Sequence, residues 1–311
     1  MERRLVIGLN IALTALSGCE PHVLCVRREG GWGLPFGRFD PESHRTFELA
    51  MRDFVERQTA VPLGYVEQLY TFGDRGREAP RASLESGDEG DRIVSVGYLA
   101  LSPQTAPPAL ERAAWRPWYE FFPWEDQREV LSQAGTELPV QLAEWAGTDP
   151  GRQRRVDLAF GIGGEAWEEE RALDRYELMY EARLVAEAWR DRGAKRDLPY
   201  GTPMISDHRR ILATAIGRLR GKMRYRPVVF ELVPHAFTLR MLQSSVEAIL
   251  GFAIHKQNFR RSIETAGLVE KTGGTSLSTG GRPAALYRAA ALTDAKTASG
   301  LNLPRLRKGE E

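Results

Sequence analysis

Residues 237–288 leave this chain the least freedom. Phe237-Thr238 opens a predicted helix in which Thr238 can cap free N–H groups, Leu239, Leu242, Val246, Ile249 and Leu250 share a face, and Gly251 is the stop. A second helix is predicted over Lys256–Ala266 and closed by Gly267. Phe259, Ile263 and Ala266 would anchor it, leaving Lys256, Gln257, Asn258, Arg260, Arg261 and Glu264 outward. Two strand-like runs, Leu268–Thr272 and Ala284–Arg288, flank a glycine-rich tip, Gly273–Pro283, that contains Arg282. Helix, turn, helix, hairpin is the order of a winged helix-turn-helix. It is preceded by a short strand over Val228–Val233 and by a helix over Asp207–Met223, with Ile211, Leu212, Ala215, Ile216 and Leu219 inward and a basic face of Arg209, Arg210, Arg218, Arg220 and Lys222. Arginine forks onto guanine, Asn and Gln onto adenine, and Lys neutralises phosphate, so the outward face of the second helix suits double-stranded DNA. A solvated basic helix is the plainer alternative.

Charge is distributed to match. The chain of 311 residues is nearly neutral at +1, yet residues 205–311 carry 18 Lys+Arg against 8 Asp+Glu, while residues 1–204 carry 25 against 34. An acidic front and a basic back third suggest two modules, the second fitted to a polyanion. With 42% hydrophobic and 27% charged residues, the composition is globular, and Cys19 and Cys25 alone cannot build a disulfide framework or a cysteine zinc cluster. Met1–Cys19 has the outline of a lipoprotein signal, with Arg3 and Arg4, an apolar stretch and Leu-Ser-Gly-Cys at its end. Asn10 within that stretch favours the other reading, a buried first strand.

The first hundred residues read as strands around one helix. Leu5–Leu13, His22–Arg27, Tyr65–Phe72 and Ile93–Leu101 are strand candidates, and residues 45–58 form a helix with Phe47, Ala50, Met51, Phe54 and Val55 on one face. Gly73–Arg92 reads as a long loop. The aromatic cluster Trp115–Trp124 is expected in a core or a subunit interface rather than as a base-stacking platform. Gly147–Gly164 reads as a flexible connection, and Glu165–Arg192 as a long acidic helix or a kinked pair.

Gly33-Leu34-Pro35-Phe36-Gly37, followed by Arg52-Asp53-Phe54-Val55-Glu56-Arg57-Gln58-Thr59-Ala60, resembles a Nudix box. In that family, glutamates on one helix face hold a divalent metal against a pyrophosphate. Here Asp53 stands for one Glu, Glu56 keeps another, Arg57 replaces the last, Thr59 replaces the Gly, and the spacing from Gly37 to Arg52 is one residue long. A cation where a carboxylate should grip Mg²⁺ implies a pocket that binds without hydrolysing, with room for residual Mg²⁺. The plainer alternative is an amphipathic helix with the pairs Glu48–Arg52 and Arg52–Glu56.

Read together with Asp207-His208-Arg209-Arg210-Ile211-Leu212, Tyr225-Arg226-Pro227, Glu247-Ala248-Ile249-Leu250-Gly251, Asn258-Phe259-Arg260-Arg261 and Arg282-Pro283-Ala284-Ala285-Leu286-Tyr287, the chain resembles the Nudix-related transcriptional regulators of NAD metabolism (NrtR-like). Its long middle segment looks most like their alphaproteobacterial, NadQ-type branch. The resemblance implies an α+β chain with an N-terminal Nudix-like α/β/α sandwich and a C-terminal winged helix-turn-helix. Residues 1–204 would be the nucleotide-sensing domain with a helical insertion at about 103–204, residues 205–290 the DNA-binding domain, and residues 291–311 a flexible tail.

The function implied is a cytoplasmic, homodimeric repressor of NAD-biosynthesis genes with no required cofactor, no catalytic residue and no membrane association. It would bind operator DNA through Thr238, Lys256, Gln257, Asn258, Arg260, Arg261 and Arg282. An adenine nucleotide effector (ADP-ribose, NAD or ATP) would sit near Trp32, Arg52, Asp53, Glu56 and Arg57. The rival is an active Nudix hydrolase of ADP-ribose or related nucleoside diphosphates.

Overall fold

The computed structural model describes residues 5–61, 63–73, 92–103, 111–128, 133–276, 283–290 and 301. Leu5–Ser17 forms β1, the buried first strand expected from its sequence. It pairs antiparallel with β2 (Glu20–Arg28) and β4 (Phe36–Arg38), and parallel with β6 (Arg92–Leu101). With β3 (Gly31–Gly33), β5 (Val66–Phe72) and β7 (Ala113–Pro117) these make a mixed sheet in the order β3-β2-β1-β6-β5, with β4 on β1 and β7 on β2.

Both faces of the sheet are covered, which is why β1 is apolar throughout instead of alternating. Leu9, Ile11 and Leu13 meet Met51, Phe54 and Val55 of α1 (Phe47–Thr59). Ala12 and Leu16 face the opposite way, into a core shared with Ile211, Leu212, Ile216 and Leu219 of α7 (His208–Tyr225). This is the expected sandwich, but its second helical layer is α7, which the expected boundary at 204/205 assigns to the DNA-binding domain and which instead packs on the sheet of the first two hundred residues. No helix among the described residues is long and apolar enough to cross a membrane.

Thr46 caps α1 by accepting from the Leu49 N–H, and the helix ends at Ala60, which adopts φ 55° and ψ 25°. The left-handed residue is therefore Ala60, one position after the Thr59 that stands where a Nudix box has Gly. A Cβ in that conformation costs roughly 1–2 kcal/mol. Ala60→Gly should accordingly raise stability by about 0.5–1 kcal/mol, after the greater freedom of glycine in the unfolded chain is subtracted. Urea unfolding checks this, and a destabilised variant would contradict it.

In the middle of the chain, the kinked pair and the buried aromatic cluster hold, while two other expectations need correction. The glycine-bearing run 147–164 is not simply a connection: it holds α4 (Pro150–Phe160). Asp149 accepts from the Gly151 and Arg152 N–H groups, Pro150 occupies the first turn, and Gly161 takes the left-handed stop. Glu165–Arg192 is a broken pair, α5 (Ala172–Glu181) and α6 (Ala186–Arg190), behind a short 3-10 turn at Glu169–Arg171. In the aromatic cluster, α2 (Trp118–Phe121) and the residues after it bury Trp118, Phe121, Phe122 and Trp124 in the core, and α3 (Gln133–Ala146) follows. Val228–Glu231 is a 3-10 helix rather than a strand, because its buried Val228 and Val229 follow Pro227 and no neighbouring strand edge among the described residues receives them.

The last module contains α8 (Leu239–Leu250), α9 (Lys256–Thr265) and the hairpin of β8 (Val269–Ser276) with β9 (Ala284–Ala289). Phe237 and Tyr287 exchange backbone hydrogen bonds, tying the hairpin to the start of α8. Arg282 at the tip, and most of the Gly73–Arg92 loop, lie outside the described residues. Where the sequence reads as a frayed tail, the described residue Leu301 is buried and its N–H donates to the Met223 carbonyl of α7 at 3.0 Å.

Candidate nucleic-acid interface and candidate nucleotide site

α9 is pinned from below and bare above. Phe259 and Ile263 are fully buried, while Lys256, Gln257, Asn258, Arg260 and Arg261 are all exposed. Thr238 caps α8 as expected, accepting from the Met241 N–H at 3.1 Å. It lines an open groove of about 460 Å³ with Arg240, Gln243, Ser244, Glu247, Lys256, Arg260 and Ala284. The groove joins a helix N-terminus to three cations, a combination that receives phosphate.

Its floor holds a feature that the sequence reading missed. Glu247 accepts from the Ile254 N–H at 2.8 Å, and the Gln243 side-chain amide donates to the Ile254 carbonyl at 2.9 Å. The turn between α8 and α9 is thus clamped on both sides of one residue. The i,i+4 spacing of Gln243 and Glu247 was the available signal.

The basic face expected on α7 does not contribute. Arg209 and Arg220 are fully buried, Arg210 pairs with Glu177, and Arg218 and Lys222 both pair with Glu67. Much of the positive excess of residues 205–311 is neutralised within the protein. Among the described residues, exposed cations remain on α8, α9 and the hairpin.

The five residues expected around a nucleotide fall into two groups. Arg52 reaches Glu48 and the Leu63 carbonyl. Asp53 lies 3.1 Å from His44 Nε2 and accepts from Arg57 at 2.8 Å, and Glu56 is exposed one turn on. Of the two pairs foreseen on this helix Glu48–Arg52 forms, and the second is Asp53–Arg57 instead of Arg52–Glu56. Trp32 does not join this cluster. It packs against the core on the α7 side of the sheet, with the Arg27 and Arg116 guanidinium groups each 5.1 Å from its ring. Its place on β3 next to Arg27 of β2 dictates that side.

His208 opens the first turn of α7. Its Nδ1 accepts from the Leu34 N–H at 2.9 Å, and its ring meets Phe36 edge-on at 4.9 Å. Burial, reinforced by Arg28 and Arg190, pushes His208 from its ordinary 6.5 down to about 3. The unfolded chain takes up this proton near 6.5 and the folded chain does not until about 3. The stability is therefore complete above the unfolded value and lost as pH falls through that window, at about 1.4 kcal/mol per pH unit. His208→Asn keeps an acceptor for Leu34. Between about pH 7 and about pH 5 it should lose about 2 kcal/mol less stability than the parent chain. Equal losses in urea titrations would show that His208 is protonated without penalty.

The fold is thus a Nudix-type sandwich carrying a winged helix. Residues 229–289 match the sequence profile of the NrtR DNA-binding winged helix domain. An 82-residue stretch is 43% identical to the "ADPR responsive transcriptional repressor NtrR" of Acinetobacter baylyi, covering 26% of this chain and 32% of that protein. The chain therefore spans about a third of the length of that curated relative. Over most of its length, it is similar in fold to Shewanella oneidensis NrtR crystallised with a 27mer DNA (TM-score 0.53, 22% identity, covering 91% of this chain and 93% of that one). It is also similar to a MutT/nudix family protein from Enterococcus faecalis (TM-score 0.54, 16% identity, covering 93% and 88%).

Proposed function

We propose that this chain is a cytoplasmic transcriptional repressor of NAD-biosynthesis genes. It binds operator DNA as a homodimer and answers to an adenine nucleotide held by its Nudix-type sandwich. The observation that carries the reading is the bare polar face of α9, inside the segment that matches a DNA-binding winged helix. Asn258, Arg260 and Arg261 read base edges in the major groove, Lys256 and Gln257 flank them, and Thr238 brings the α8 N-terminus to a phosphate. Arg282 serves the same face from the hairpin tip. Two copies place two such helices on half-sites about one helical turn apart.

The sensor helix supports binding over hydrolysis. The Asp53 carboxylate is already engaged by His44 and Arg57, so the donor set does not fit a Nudix-type Mg²⁺, and no hydrolytic step is derived through one. Arg52 and Arg57 are exposed enough to exchange Glu48 and Asp53 for phosphate, and with the exposed Glu56 they meet the nucleotide; Trp32, on the other face of the sheet, lies outside that site. A mobility shift on DNA upstream of NAD-synthesis genes, repeated with ADP-ribose, NAD and ATP, tests the whole reading. A specific shift changed by one nucleotide supports it. No shift from folded protein overturns it for those genes, and Mg²⁺-dependent cleavage of ADP-ribose would favour the hydrolase.

A further inference from the structure

Three groups from outside the winged helix close the C-terminal end of α8. The Tyr119 hydroxyl donates to the Ala248 carbonyl, the Arg220 Nε to the Ile249 carbonyl at 2.8 Å, and the Gln127 N–H to the Gly251 carbonyl at 2.6 Å. A helix end ordinarily leaves these carbonyls to water or to its own cap. Here the Glu247 carbonyl is met from within the module, by the Gly251 N–H. Gly251 sits at φ 83°, and a Cβ on it would fall 2.2 Å from the Glu125 carbonyl, so the docking leaves no room for a side chain.

The closing segment grows directly out of the sheet. β7 pairs with β2 and runs straight into α2, and Tyr119, Glu125 and Gln127 follow within a few residues. Arg128 then returns to β2, gripping both carboxylate oxygens of Glu20 at 2.7 and 2.8 Å. Behind the helix end, the fully buried Glu125 carboxylate accepts from Arg175 of α5 at 2.5 and 2.9 Å and from Arg220 of α7. Arg220 thus holds α8 with one nitrogen and is itself held by another.

We propose that residues 118–128, anchored by the buried Glu125–Arg220–Arg175 cluster, form a latch that fixes the orientation of the α8–α9 pair relative to the sensor sheet. Glu125 is its positioning residue, acting through Arg220. Part of the 103–204 segment thereby acquires a role in coupling the two modules. Because α9 moves with the sheet of its own protomer, an effector changes the spacing of two recognition helices by moving whole protomers. That consequence rests on the reading of the chain as a dimeric DNA-binding protein, but the latch itself does not.

Hydrogen–deuterium exchange on the full-length chain tests the latch without DNA, using Glu125→Gln and Tyr119→Phe. The expected result is amide exchange about tenfold faster in α8 and α9 for Glu125→Gln, and about threefold faster for Tyr119→Phe, with β1 and β6 unchanged. Operator affinity should fall about tenfold in Glu125→Gln, while affinity for non-specific DNA and the salt slope stay at parent values, because no phosphate contact is removed. A merely destabilised protein would lose both affinities together. Unchanged exchange in α8 and α9 for both variants, or equal acceleration in the sheet and α8–α9 of Tyr119→Phe, overturns the latch. If Glu125→Gln does not fold, Tyr119→Phe decides alone, since it leaves no buried charge. If the parent chain binds no operator, the functional reading fails, while the exchange measurement still judges the latch.

Discussion

Replacing Arg260 and Arg261 together by alanine should weaken operator binding by roughly 2–6 kcal/mol, taking about 1–3 kcal/mol for each side chain that reads a base edge. Both are exposed on α9, and neither forms an ion pair among the described residues, so their loss should cost the fold little. Phe259 and Ile263 continue to hold the helix. Fluorescence anisotropy over a range of salt separates base reading from charge. Losing an arginine that sits on phosphate lowers the salt slope by about 0.9 and weakens all sequences alike, whereas losing one that reads a base lowers specific binding selectively. Unaltered affinity for every DNA would remove α9 from the interface.

The largest stability effect is expected at Arg209. Its guanidinium donates to Glu187 at 3.1 Å and to the Phe121 and Tyr200 carbonyls, entirely out of water, close to the rings of Phe122, Trp124 and Tyr176. Arg209→Ala strands the buried Glu187 carboxylate and frees two buried carbonyls, and should cost about 3–5 kcal/mol. Arg209→Lys should recover little, because a single ammonium cannot span the fork. Urea unfolding measures both, and a loss below about 1 kcal/mol for the alanine variant would contradict a buried charge at Glu187.

Arg209 and the α9 arginines are the same residue type, yet they differ sharply in how far their neighbours in the chain reveal their surroundings. Arg260 and Arg261 could be read as outward because Phe259 and Ile263 set the phase of their helix. Arg209 belongs to a helix with an equally clear phase, and the same logic put it, wrongly, on a basic outer face. α7 is covered on more than one side, by the sheet and by α5, so a polar face on it meets protein instead of solvent. The partners that make this tolerable, Glu125, Glu187 and Glu67, lie between 22 and 155 residues away and leave no local trace. α4 was overlooked for another reason: glycine content masked an Asp149-Pro150 start and a Gly161 stop that were both present.

Short-range chemistry accounts for everything that could be read directly from the residues: the buried first strand, α1, the capped α8, the phase of α9 and the hairpin behind it. Each depends on periodicity or on a cap within a few residues. The packing of the whole chain was needed to put Trp32 and α1 on opposite faces of the sheet, to turn the cations of α7 inward, and to bring residues 118–128 to the end of α8. These are outcomes of which surfaces meet. A buried charge or an open carbonyl is satisfied by whichever group the fold brings within about 3 Å, irrespective of its distance along the chain.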